Sequence, residues 1–142
     1  MRLAYQYRQT QTSAAGAEIA AAGSKTFTFT IPGNAGQVRR ISIERTAGDC
    51  VSFDWKLLST ASADASVKTL NQLDSGATVT PGAGIDLDSS YADGAKVFSN
   101  YENAAKLYVV ITANGGTGGN LFTIYLYTEL GGGNTDSVTI ST

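Results

Sequence analysis

The sequence predicts an all-β protein, an antiparallel β-sandwich or barrel of jelly-roll type with about eight to ten short strands and an extended N-terminal arm. Three observations predict it. Apolar and polar residues alternate with period two in several separate stretches. Glycine-rich segments divide those stretches, and no stretch sustains a helical period. Composition agrees: charged residues are 15% of the chain and hydrophobic residues 42%, so the polar remainder is mostly Ser, Thr, Asn, Gln and Gly. Thr suits pleated surfaces and Gly supplies the positive φ of turns.

The elements follow in order. Residues 1–24 read as an N-terminal strand or arm, "RLAYQYR", followed by an Ala-rich connection bounded by Gly16 and Gly23 without an amphipathic stripe. Residues 25–142 read as a single sandwich domain. "KTFTFTI" puts Phe27, Phe29 and Ile31 on one face and Thr26, Thr28 and Thr30 on the other; after "PGNAG", "QVRRISIERT" sets Ile41 and Ile43 against Ser42 and Glu44. A hairpin is the simplest reading of that pair. "CVSFDWKLL" groups Val51, Phe53, Trp55 and Leu57 as a core face, with Trp55 a core residue rather than a ligand platform. The middle is weaker, with short strand candidates at 67–73, 77–80 and 95–99, the first of them also readable as a short helix. "AKLYVVITA" and "NLFTIYLYTEL" are clear strands joined by "NGGTGG", and "DSVTIST" supplies a last one.

That glycine-rich stretch raises the question of a phosphate site. A phosphate loop of the Walker type needs a Lys followed by Ser or Thr, and a helix beyond it. Here a strand follows and no cation is near, so the glycines are expected to form a mobile hairpin tip. Other chemistry is scarce. The chain has no histidine, which removes the commonest general base and the usual triad, so no enzymatic activity and no cofactor are expected. Ten basic against twelve acidic residues leave no cationic stripe for nucleic acid. No apolar run approaches the roughly 20 residues of a membrane helix, and Gln6, Arg8, Gln9 and Gln11 interrupt any secretion-signal core. Cys50, the lone cysteine, reads as a small buried hydrophobe. Asp86, Asp88 and Asp93 in "DLDSSYADG" are a calcium candidate in an oxygen-rich loop, but the spacing departs from the EF-hand pattern, and a solvated turn that does not need calcium is expected.

A further pattern carries no catalytic chemistry. On the two long C-terminal strands Leu107, Val109, Ile111, Phe122, Ile124 and Leu126 make one face, yet Tyr108, Val110, Tyr125 and Tyr127 stand on the other. A hairpin apolar on both faces calls for a second cover. Either the chain's own Ala-rich arm or another subunit would supply it. Leu3, Tyr5 and Tyr7 alternate in the N-terminal segment, which would pair either with a neighbour's sheet edge or within its own domain.

Scarce charge, no histidine, abundant Gly, Thr and Ala, and an extended N-terminus on an all-β chain together resemble small virion proteins of tailed bacteriophages, above all capsid decoration or cement proteins. The resemblance is one of style over the whole chain and transfers no site residue. It implies a non-enzymatic protein made in the host cytoplasm and seated on the outer capsid, with the major capsid protein as partner. It also implies a homo-oligomer, a trimer before other sizes, with Tyr108, Val110, Tyr125, Tyr127, Leu3, Tyr5 and Tyr7 as contact residues. A host-attachment or carbohydrate-binding module of a tail or fibre would instead present Trp55, Tyr91 or Tyr101 as sugar platforms.

Overall fold

The computed structural model describes residues 5–12, 18–31, 35–59, 72–92, 95–99, 105–130 and 139–141. In them the chain forms ten strands: β1 (Tyr5–Thr12), β2 (Ser24–Ile31), β3 (Ala35–Ala47), β4 (Ser52–Leu58), β5 (Gln72–Val79), β6 (Leu87–Ser90), β7 (Val97–Ser99), β8 (Ala105–Asn114), β9 (Leu121–Leu130) and β10 (Thr139–Ser141). One sheet runs β1-β9-β3-β6, with β7 also on β3, and the second runs β10-β2-β8-β4-β5. Every pairing is antiparallel. The result is a sandwich, not a closed barrel.

Period-two alternation produces this arrangement directly, because each strand can turn only one face to the core. Phe27 and Phe29 of β2, Phe53, Trp55 and Leu57 of β4, and Leu107, Val109 and Ile111 of β8 are buried from one sheet; Ile41 and Ile43 of β3 and Phe122, Ile124 and Leu126 of β9 are buried from the other. Phe53 and Phe122 meet edge to face across the two sheets, ring centres 5.1 Å apart. Burying each such ring contributes about 1.5–3 kcal/mol. Trp55 is 3% exposed, as expected of a core residue, whereas Val51 is 70% exposed because it lies in the turn before β4 and not on its core face.

Both expected hairpins are corrected. β2 and β3 lie in different sheets, and so do β8 and β9. In both places the chain passes from one sheet to the other, and alternation alone names a strand's faces without naming its neighbour. The expected loop over "DLDSSYADG" contains a strand, β6, which pairs with Ile43–Arg40. The expected strand at 77–80 corresponds to the end of β5 and that at 95–99 to β7; most of 67–73 lies outside the described residues. β1 is not a detached arm but an edge strand paired to β9 along its length.

The open side between β5 and β6 is sealed by Tyr91. Its hydroxyl donates to Asp74 Oδ2 at 2.6 Å, and Lys96 Nζ sits 5.3 Å from the ring centre. Burial first, and the Asp74 carboxylate second, push the phenol's pKa well above its ordinary range. Directly across from Trp55 in β5 stands Gly76, where an added Cβ would collide with the indole nitrogen. Gly76→Ala should therefore cost about 1–3 kcal/mol in a denaturant titration. Gly82→Ala, at a site with open space around it, should stay within about 0.5 kcal/mol of the parent.

Candidate contact surfaces

Four connections between the sheets meet at one end of the sandwich, in arches that include residues 18–23, 48–51, 80–86 and 115–120. The glycine-rich arch is held rather than free, which corrects the expected mobile tip. Gly115, Gly116, Gly118 and Gly119 all have positive φ, from 68° to 117°, a conformation that strains any residue with a Cβ. With those angles the loop turns its N–H groups onto the carboxylate of Asp49. Thr117 N donates at 2.8 Å, Thr117 Oγ1 at 2.7 Å and Gly118 N at 3.2 Å. The loop does cradle an anion, as backbone nests do, and the anion belongs to the protein itself. The Thr117 hydroxyl first, then the Thr117 and Gly118 amides, lower the pKa of Asp49 below the usual carboxylate range.

Behind that clasp lies Asn120, fully buried. Its Oδ1 accepts from Cys50 N at 3.0 Å and its Nδ2 donates to Ile19 O at 2.9 Å, while its backbone bridges Ile19 in both directions. One amide thus ties three arches together, and Gly48 lacks the Cβ that would collide with it. Cys50 is buried in this knot, as the sequence suggested. Asp86 ties the fourth arch: Oδ1 accepts from Gly82 N at 2.7 Å and Oδ2 from Arg45 N at 2.8 Å.

Two of the calcium candidates, Asp86 and Asp88, are taken up by such ties. Asp88 is on the outer face of β6, where Arg40 grips it with two bonds of 2.7 and 2.6 Å and Ser42 donates at 2.8 Å. Arg40 first and then Ser42 lower its pKa. Asp93 lies outside the described residues. Among the described residues no group of three His, Cys, Asp or Glu is placed to hold a metal. Sequence reasoning missed Asp49, Asn120 and the Arg40–Asp88 pair, because each partner lies 48 or more residues away.

Four of the contact residues read from the sequence fall on two surfaces, not one. Tyr125 and Tyr127 stand half-buried on the outer face of β9, beside Ser42 and Arg40 of β3, with the Arg40 guanidinium 5.5 Å from the Tyr127 ring centre. Tyr108 and Val110 stand half-buried on the outer face of β8, in the opposite sheet, beside Thr28 and Thr26 of β2. The supposed hairpin surface is thereby divided between the two outer walls. Tyr5 and Tyr7 lie in β1, in register with Leu130 and Thr128; Leu3 lies outside the described residues. Of the sugar-platform candidates, Trp55 is buried, Tyr91 seals an edge through Asp74, and Tyr101 lies outside the described residues.

Two substitutions test the arch ties. Asn120→Ala orphans the buried Cys50 amide and should cost about 1–3 kcal/mol. Asp49→Ala should lower stability at neutral pH. Because the native pKa is depressed, that contribution is present above the ordinary aspartate pKa and disappears as pH falls through the native one, so parent and variant melting temperatures should converge in acid.

No known family model matches the chain, and no curated protein matches it. Among solved structures, one of infectious bursal disease virus, Gx strain, aligns at 13% identity with a TM-score of 0.36, covering 99% of this chain and 35% of that one. The chain thus spans about a third of the length of that neighbour, and no functional reading follows from the likeness.

Proposed function

We propose that the protein is a non-enzymatic structural component of a virion, a decoration or cement protein of a tailed bacteriophage that seats on the outer capsid, binds the major capsid protein and stabilises the shell. The observation that carries this reading is the strand order. With β7 and β10 set aside, the sheets β1-β9-β3-β6 and β2-β8-β4-β5 follow the course of an eight-strand jelly roll, a fold used by viral capsid domains, lectins and cupins. The fold alone does not choose among them; the side chains supply what support there is for this reading.

Without histidine the chain lacks the commonest metal ligand and general base. The carboxylates of Asp49, Asp54, Asp74, Asp86 and Asp88 accept hydrogen bonds from the chain's own donors, which supports a building role over acid–base chemistry. Trp55 and Tyr91 are taken up by core and edge, which weakens the lectin-like alternative. What the surface offers instead is Tyr125 and Tyr127 on one wall, Tyr108 and Val110 on the other, and exposed Val97 and Ile85. Aromatic residues of this kind are enriched in protein contacts.

The test uses particles stripped of the protein. Added chain should co-sediment with them and raise the temperature at which they release DNA. Paired serine substitutions at Tyr125 and Tyr127, or at Tyr108 and Val110, should leave the fold intact, and one of the two pairs should cut retention by about tenfold or more. Binding to host-surface glycans without retention on the shell would overturn the reading.

A further inference from the structure

Each sheet of an open sandwich ends in two strands whose outer N–H and C=O groups are available to another chain, and natural proteins blunt such edges. Among the described strands, three of the four edges are blunted. β10 has 3 residues. β5 carries Gly76, a positive φ of 55° at Thr78, and two register shifts against β4. The edge opposite β1 is divided between β6, 4 residues, and β7, 3 residues. The fourth, β1, is 8 residues long and pairs with β9 in unbroken register from Tyr5↔Leu130 to Thr12↔Thr123. Its sequence, YQYRQTQT, contains neither Pro nor Gly, and one charge. Among the described strands β1 is hydrogen-bonded to β9 alone, while β10 of the other sheet approaches it without pairing.

We infer that this edge pairs with β1 of a second copy of the chain, antiparallel about a two-fold axis, so that the β1-β9-β3 sheets of two subunits become one continuous sheet. The sequence of β1 favours a self-pairing. A two-fold axis perpendicular to the sheet places residue i opposite a residue of the same parity, because both must share a face. Centring the axis on Arg8 would set arginine against arginine, and like charges directly opposite destabilise a pair. Centring it on Gln9 sets Gln9 against Gln9, Arg8 against Thr10, Tyr7 against Gln11 and Gln6 against Thr12, with no like charges opposed. That register also overlaps residues 6–12, more than centring on Tyr7 or Thr10 would allow. Main-chain bonds supply the affinity, as in other strand additions, and the contact is isologous and closed, giving a dimer rather than a trimer or a filament. The inference does not depend on where the protein works.

Position 10 tests it. Thr10 is in register with Tyr125 of β9, a residue on the outer face of that strand. Thr10→Lys places a lysine opposite Arg8 of the second copy twice over, once on each side of the axis, and should raise the dimer dissociation constant about tenfold. Adding Arg8→Glu turns both contacts into opposite-charge pairs and should restore the parent value to within a few-fold. Mass in solution is measured by light scattering over a concentration series, and circular dichroism checks the fold of each variant. A parent chain that stays monomeric throughout overturns the inference. So does an oligomer indifferent to Thr10→Lys, or a weakened one that Arg8→Glu fails to rescue.

Discussion

The side chain of Asn120 satisfies a constraint that the whole sandwich imposes. When a chain passes repeatedly between two sheets about 10 Å apart, the arches bring backbone N–H and C=O groups into the end of the core, where water cannot serve them. An amide offers a donor and an acceptor at once, and Asn120 spends one on Ile19 O and the other on Cys50 N. Three arches that would otherwise be separate loops become one packed end. Gly48 is a consequence, since a side chain there would occupy the space of the amide.

With that end fixed, the remaining polar side chains can be read as supports. Asp49 orients the glycine arch, Asp86 closes the arch before β6, and Asp88 locks Arg40 against the outer wall beside Tyr127. The exposed residues at the arch end are mostly small: Ala20, Ala21, Ala22, Gly82, Ala83, Gly84 and Thr117. A surface whose backbone is already tied and whose side chains have little rotamer freedom loses little entropy when another body covers it. The same holds for Tyr127, whose ring the Arg40 guanidinium braces. Both properties support the proposed structural role.

Period two made most of the strands legible, and with them their faces. Phe27 and Phe29, Phe53 and Trp55, Leu107 to Ile111, and Phe122 to Leu126 are buried on the sides the alternation assigned. Partnership was not legible. A Gly-rich stretch between two alternating runs suits a hairpin and an arch equally well, and what separates them is the distance the chain must cover and the carboxylate waiting at the far side. Asp49 is 68 residues from Thr117, and no local pattern connects them. β6 was hidden for a different reason: LDSS has the composition of a turn, and it becomes a strand because Ser42 and Arg40 of β3 hold Asp88. Tyr108, Tyr125 and Tyr127 face away from the core as the alternation assigned, but their division between two walls required the topology.

Strand order, arches and outer faces form one chain of cause, and its first link is the buried amide. Native-state hydrogen exchange at the Cys50 N–H tests that link most directly. If Asn120 joins the arches into the cooperative core, this amide should exchange only through global unfolding, with the same free energy as amides in the middle of β8 and β9. Exchange through a local opening, with protection no greater than that of exposed Gly84, would show that the arches move independently and would contradict the account.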